Sequence, residues 1–259
     1  MYHLEVVGTH WEGLVDETIE HLDAAGVDKA VVLATWMDSR RSNEITRDAC
    51  RRYPDRFVPF GHVRPVDDWK GELRWLAQEL GWTGLKLHQG ELRHGGPDLC
   101  ATALEIVEEA ARLGVRLVKI HLVDYDAVDR LSAALPEVTW ILPHLGCYGA
   151  WRDMERYCTL ARGRPNVYLD TCAVDPYYDF GKAFQWAGAE KITFASDGHE
   201  YSPLVEKAKV DTLRLPTPFR TPRLTDAEYA MVMGGTMARL LGLEDGGPGG
   251  ARRAPLNKD

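Results

Sequence analysis

The chain has 259 residues, 45% of them apolar and 27% charged, which is enough apolar sequence for one substantial core. Its net charge is −8 and its 31 Lys and Arg are scattered without a basic run, so a small molecule is a better partner than nucleic acid or an anionic membrane. No apolar run nears the roughly 18 residues that cross a bilayer, residues 1–30 lack the pattern of a secretory signal, and five cysteines without a CxxC pair point to a reduced, cytoplasmic protein.

Strand-like and helix-like segments take turns along the chain. Residues 2–7 read as a strand and 14–25 as a helix. Short β-branched or aromatic runs then recur at 29–34, 57–63, 84–88, 116–121, 138–144, 166–171 and 191–197. Between them the apolar residues have helical spacing, as in Leu99, Ala103, Ile106, Val107 and Ala110, or Trp151, Met154, Cys158 and Leu160. The links Ala25-Gly26-Val27 and Leu113-Gly114-Val115 read as helix ends followed by new strands. Eight βα units at this length predict a (β/α)8 TIM barrel over residues 1–243 as a single domain. Residues 244–259 are rich in glycine and charge, and are read as a disordered tail. An open doubly wound sheet competes, but Val7-Gly8-Thr9-His10 has only one glycine where a phosphate loop would need several.

The predicted strand ends carry the chemistry. His62 and Arg64 follow the third strand, Lys86 and His88 end the fourth, and His121, His144, Asp170 and Asp197 end the next four. A lone histidine there is more often a hydrogen-bonded rim residue, which is the reading preferred for His62. Four histidines and a carboxylate gathered at one barrel mouth are instead a ligand set for a divalent metal, zinc first, with manganese or iron also suited to nitrogen and oxygen donors.

The runs Gly81-Trp-Thr-Gly-Leu-Lys-Leu-His88, Val118-Lys-Ile-His121, Ile141-Leu-Pro-His-Leu-Gly146, Asn166-Val-Tyr-Leu-Asp170 and Ile192-Thr-Phe-Ala-Ser-Asp197 occur in unbroken order. Together with the ending Gly234-Gly-Thr-Met-Ala-Arg-Leu-Leu-Gly242, this set resembles the amidohydrolase superfamily over about residues 12 to 243. The nearest branch is the amidohydrolase-2 group of hydrolases, lactonases and decarboxylases. The resemblance implies one divalent metal, with His121 and Asp197 as ligands. It places His144 beside the metal, where it activates water or polarises the substrate, and lets Asp197 also accept a proton. The family's first strand ends in His-x-His. Here His3 takes the second position and Met1 falls on the first, so the implied ligands are His3, His121 and Asp197, with His10 as a substitute.

Arg64, Lys86, His88, Trp36, Tyr148 and His199 are the candidate substrate-binding residues. Lys86 and His88 share one face of a strand, and Lys119 shares the face of His121. An inward Lys119 needs an acidic partner, unless a bulge turns it to the surface. Asp197 has a second reading as the N-cap of a helix over 200–208. The function implied is metal-dependent hydrolysis of a small amide, ester or lactone by a metal-activated water. Two alternatives stand beside it: nonoxidative decarboxylation of a small carboxylated ring compound, and a metal-depleted, noncatalytic barrel. A homodimer is the prior for a soluble enzyme.

Overall fold

Aspartates recur just beyond the strands and start the helices that follow. Asp38, Asp68, Asp98 and Asp124 each accept a hydrogen bond from the backbone N–H three residues on, at 2.9 to 3.1 Å. In the computed structural model, which describes residues 2–7, 11–35, 37–198, 200–216 and 223–243 (backbone alone for 2–7 and 11–13), these caps punctuate a regular alternation. The order is β1 (Tyr2–Val7), α1 (Trp11–Ala24), β2 (Ala30–Thr35), α2 (Ser39–Arg52), β3 (Phe57–His62), α3 (Trp69–Arg74), β4 (Gly84–His88), α4 (Gln89–Leu92) and α5 (Leu99–Arg112). It continues with β5 (Leu117–His121), α6 (Tyr125–Ala134), β6 (Thr139–Leu142), α7 (Met154–Gly163), β7 (Val167–Asp170), α8 (Tyr177–Ala187) and β8 (Ile192–Thr193). The helices α9 (Pro203–Thr212), α10 (Asp226–Ala230) and α11 (Thr236–Leu240) follow.

The eight strands lie side by side in sequence order and every neighbouring pair is parallel. This is a (β/α)8 barrel of the TIM type. Gly26 and Gly114, with φ of +67° and +90°, close α1 and α5 in the left-handed conformation expected of them. The predicted tail at 244–259 lies outside the described residues.

Two apolar clusters follow from the pleat. Val32, Leu85, Leu87, Val118, Ile120 and Leu142 face outward and pack with helix residues such as Ile106 and Val107. Val31, Leu33, Phe60, Leu117, Ile141 and Tyr168 face inward, where Met237 of α11 joins them. The barrel interior is therefore a packed apolar plug that holds the strands in register beneath the mouth.

Two strands stop two or more residues before the ends the sequence predicts. β6 stops at Leu142 because Pro143 has no N–H to donate and His144 turns left-handed, with φ +57°. β8 stops at Thr193 because other groups satisfy the backbone beyond it. The Thr171 hydroxyl donates to Ala195 O and accepts from Ala195 N, and Phe194 N donates to Val232 O. The helix predicted over 200–208 begins instead at Pro203 with Ser202 as its N-cap, so Asp197 is not a helix cap.

Glu206 anchors α9. It is 2% exposed, pairs with Lys209 Nζ at 2.7 Å and accepts a hydrogen bond from Ala173 N at 3.2 Å. Burial raises its pKa above the usual value near 4.5 despite Lys209. A carboxyl with a raised folded pKa contributes stability below its unfolded value, and that contribution fades as pH rises through the folded one. Melting temperatures measured from pH 4 upward should therefore fall for the wild type relative to Glu206→Gln. Parallel curves would show that Glu206 has no such role.

Candidate metal and substrate site

Alternation along β3, β4 and β5 sets polar residues in tiers above the apolar plug. His62 is in register with Lys86, Lys86 with Lys119, and His88 with His121. Lys86 and Lys119 are buried at 1% and 0% exposure. Such a lysine is tolerated only with a partner, and Lys119 Nζ lies 3.0 Å from Asp170 Oδ2 at the end of β7. The acidic partner anticipated for an inward Lys119 is thus Asp170.

The other oxygen of Asp170 works on the backbone. Oδ1 accepts hydrogen bonds from the N–H of His144 at 3.2 Å and of Cys172 at 3.1 Å. The His144 ring in turn has Nδ1 3.0 Å from the Cys172 carbonyl oxygen and 3.3 Å from Cys172 Sγ. A carbonyl only accepts, so Nδ1 carries the proton and Nε2 is the basic nitrogen.

Backbone strain concentrates here. Among the described residues, the non-glycine positions with left-handed φ are His144, Leu145, Ala173 and Asp197, at +57°, +52°, +50° and +61°. All four lie just beyond β6, β7 and β8. Each such residue costs on the order of 1–3 kcal/mol and persists only where its surroundings hold it.

Above this floor the imidazoles pack ring to ring. His121 is 4.5 Å from His88 and 4.8 Å from His144 between ring centroids. Tyr148 stands at the mouth, 44% exposed, 4.6 Å from His144 and 5.7 Å from His121, and Trp151 extends the wall 6.1 Å further on. Tyr201 meets Tyr148 from the loop after β8, and desolvation followed by that hydrogen bond pushes its pKa up to about 12. Tyr201 is therefore a neutral wall residue and not a base.

His62 is a structural rim residue, as the sequence suggested. Its Nε2 is 2.7 Å from Glu91 Oε2, with both side chains buried. Its backbone N–H and C=O pair with the Asn43 amide at 2.8 Å each, and Asn43 reaches Glu72, which Arg40 also holds. Arg64 follows this braced segment, with Nε 3.9 Å from Asp67.

The donor chemistry suits a divalent ion. His144, Cys172 and Asp197 offer a nitrogen, a sulfur and a carboxylate oxygen that all lie within 4.8 Å of one another. Of the residues predicted from sequence, the structure brings His88, His121, His144 and Tyr148 into one ring cluster, and Asp197 joins it through His144. His3 pairs in register with Val31 near the start of β2, four residues before β1 ends; its side chain, like Met1, His10, Trp36 and His199, lies outside the described residues. Sequence reasoning missed Cys172, which it counted only among five reduced cysteines without a CxxC pair, and missed Glu91 and Asn43. The available signal for Cys172 was its position two residues after the strand-end Asp170.

A family profile for amidohydrolases matches residues 14–243. The chain belongs to the amidohydrolase family. No curated protein matches it by sequence. Among solved structures, 2,6-dihydroxybenzoate decarboxylase from Rhizobium is 18% identical, covering 94% of this chain and 97% of that one with a TM-score of 0.63. Dihydroxybenzoic acid decarboxylase from Polaromonas sp. JS666, with bound manganese and the inhibitor 2-nitroresorcinol, is 16% identical over 95% and 96%, TM-score 0.66. 4-Oxalomesaconate hydratase from Rhodopseudomonas palustris is 17% identical over 90% and 82%, TM-score 0.66. At these identities the likeness establishes that this amidohydrolase shares their fold. No described helix is long and apolar enough to cross a membrane.

Proposed function

We propose that this amidohydrolase is a metal-dependent lyase that removes carbon dioxide from a small carboxylated ring compound. The observation that carries the reading is the aromatic cluster of His121, His144, Tyr148 and Trp151, whose rings stand at 49° to 73° to one another and so offer a planar ring both faces and edges. Two of the structures named above are decarboxylases of such rings, which supports it. The ion, zinc or manganese, would be held by His121 and Asp197, the ligands the family resemblance implies, with Cys172 beside Asp197 as a third. His3 does not end its strand as the resemblance implied: it lies near the start of β1, away from the mouth, and is not among the ligands proposed. When bound, it supplies a Lewis acid that fixes an anionic substrate.

The chain's own residues do the rest. Arg64 and Lys86 contribute positive charge toward the carboxylate, and His88 stands beside His121 at the same mouth. Tyr148 stacks against the ring. As the bond between ring and carboxylate breaks, its electron pair stays on the ring carbon, and His144 Nε2 delivers there a proton that it has taken from solvent. Ring carboxylate plus a proton thus gives the ring bearing hydrogen and carbon dioxide.

Hydrolysis of an amide, ester or lactone would use the same residues to aim a water at a carbonyl carbon, but the described aromatic cluster gives it no particular support. The test supplies 2,6-dihydroxybenzoate and related hydroxybenzoates to the zinc- or manganese-loaded protein in deuterated water. Carbon dioxide release with one deuterium placed on the ring is expected. Turnover only of esters or lactones, with solvent oxygen incorporated, would overturn the reading, as would a protein that binds no metal and turns over nothing.

Cys172 makes one further prediction. Thiolate is a soft ligand, so Cys172→Ser should weaken retention of zinc more than of manganese through dialysis, read by elemental analysis. Equal losses would remove Cys172 from the ligand set.

A further inference from the structure

The left-handed turn at His144 needs something to hold it: its carbonyl accepts from Cys147 N–H at 3.1 Å, and its N–H donates to a carboxylate that makes a second such bond nearby. Asp170 Oδ1 receives the N–H of His144 and the N–H of Cys172 at once, at 3.2 and 3.1 Å. The first bond fixes where the His144 backbone sits. The second fixes the peptide segment whose carbonyl, at 3.0 Å, takes the Nδ1 proton of the same histidine. Asp170 therefore bears on both the backbone position and the ring tautomer of His144.

Lys119, two strands away on β5, completes the device. Its ammonium, 3.0 Å from Asp170 Oδ2, pins the carboxylate at a place where neither side chain is exposed. The pair sits directly below the mouth, and nothing in the proposed reaction assigns it a chemical step. Its geometry is that of a support that holds a strained neighbour in one arrangement.

We propose that Asp170 and Lys119 are positioning residues. Together they lock His144 in the left-handed turn with its proton on Nδ1, so that Nε2 is the nitrogen presented to substrate. This rests on the reading of His144 as the proton-transfer group, but its first test needs no turnover.

The test compares two doubly substituted proteins that both remove the buried charges. Lys119→Met with Asp170→Asn keeps an acceptor oxygen where Oδ1 stands, whereas Lys119→Met with Asp170→Leu keeps the bulk and loses the acceptor. Long-range proton–nitrogen correlation spectra of histidine-labelled, zinc-supplemented protein report the tautomer, and His144→Asn identifies the signal. The wild type and the Asn double variant should show Nδ1–H, while the Leu double variant should show a mixed or Nε2–H ring. On 2,6-dihydroxybenzoate the Leu double variant should lose about 10²-fold in kcat with KM changed less than about threefold, and the Asn double variant should recover most of that loss.

The same tautomer in both double variants, or an equally disturbed one in both, would overturn the proposal. Should the Leu double variant fail to fold, amide exchange in the wild type decides. The His144 and Cys172 N–H groups must exchange slowly if Asp170 holds them, and fast exchange of either is fatal to the idea. If the wild type turns over no hydroxybenzoate, the tautomer and exchange results still stand, so failure of the proposed reaction is told apart from failure of the support.

Discussion

His121→Ala should strip the protein of its ion, while His144→Asn should leave the ion in place and stop the reaction. The two rings lie only 4.8 Å apart, so the contrast cannot come from distance to the mouth. It comes from role. A ligand contributes binding energy to the ion directly, and its removal should lower affinity by more than the roughly 10–100-fold that loss of an outer partner costs. A proton-transfer group contributes to rate, typically about 10²- to 10⁴-fold. Elemental analysis after dialysis, paired with initial rates at saturating metal, separates the two. Loss of metal in His144→Asn as complete as in His121→Ala would make His144 a ligand, which the proximity of its ring to Cys172 and Asp197 would then explain.

Lys119→Met alone should be among the most damaging single substitutions in the chain. It leaves the Asp170 carboxylate at 0% exposure without its counter-ion, and breaking a buried pair from one side costs about 3–5 kcal/mol. Removing the second charge as well, with Asp170→Asn, should return most of that stability, because an unpaired charge costs more than the pair contributes. Urea denaturation of the wild type, the single variant and the double variant measures both steps. A single variant within about 1 kcal/mol of wild type would mean that Asp170 finds another cation or takes up a proton at small cost.

The barrel was legible because its signal is repetitive. Each βα unit restates the same alternation of short apolar run and helical spacing, so an error at one boundary leaves the count intact. The ends of β6 and β8 were less legible, since what stops them is nonlocal. The Thr171 side chain and the Val232 carbonyl take over the backbone beyond β8, and neither is near it in sequence. The histidines at the mouth announced themselves by their place after apolar runs. Cys172 did not, because a cysteine after a strand reads as packing until the turn beside His144 brings its sulfur to 3.3 Å from the ring. Lys119 was half legible: pleat parity turned it inward and so demanded an acid, but only the fold could choose Asp170, two strands away.

The way β8 ends has a consequence for how the chain is made. The eighth strand has only two residues, its continuation is tied to Val232, and the inward apolar plug is completed by Met237 of α11. During synthesis from the N-terminus, all eight strands leave the ribosome before the segment that secures the last of them. Until then Tyr168 and Ile141 lack a neighbour they have in the finished barrel, and apolar surface that is normally enclosed remains open to other chains. Chains stopped short of residue 232 should therefore aggregate or be degraded, although they contain every strand and every residue assigned here to the site.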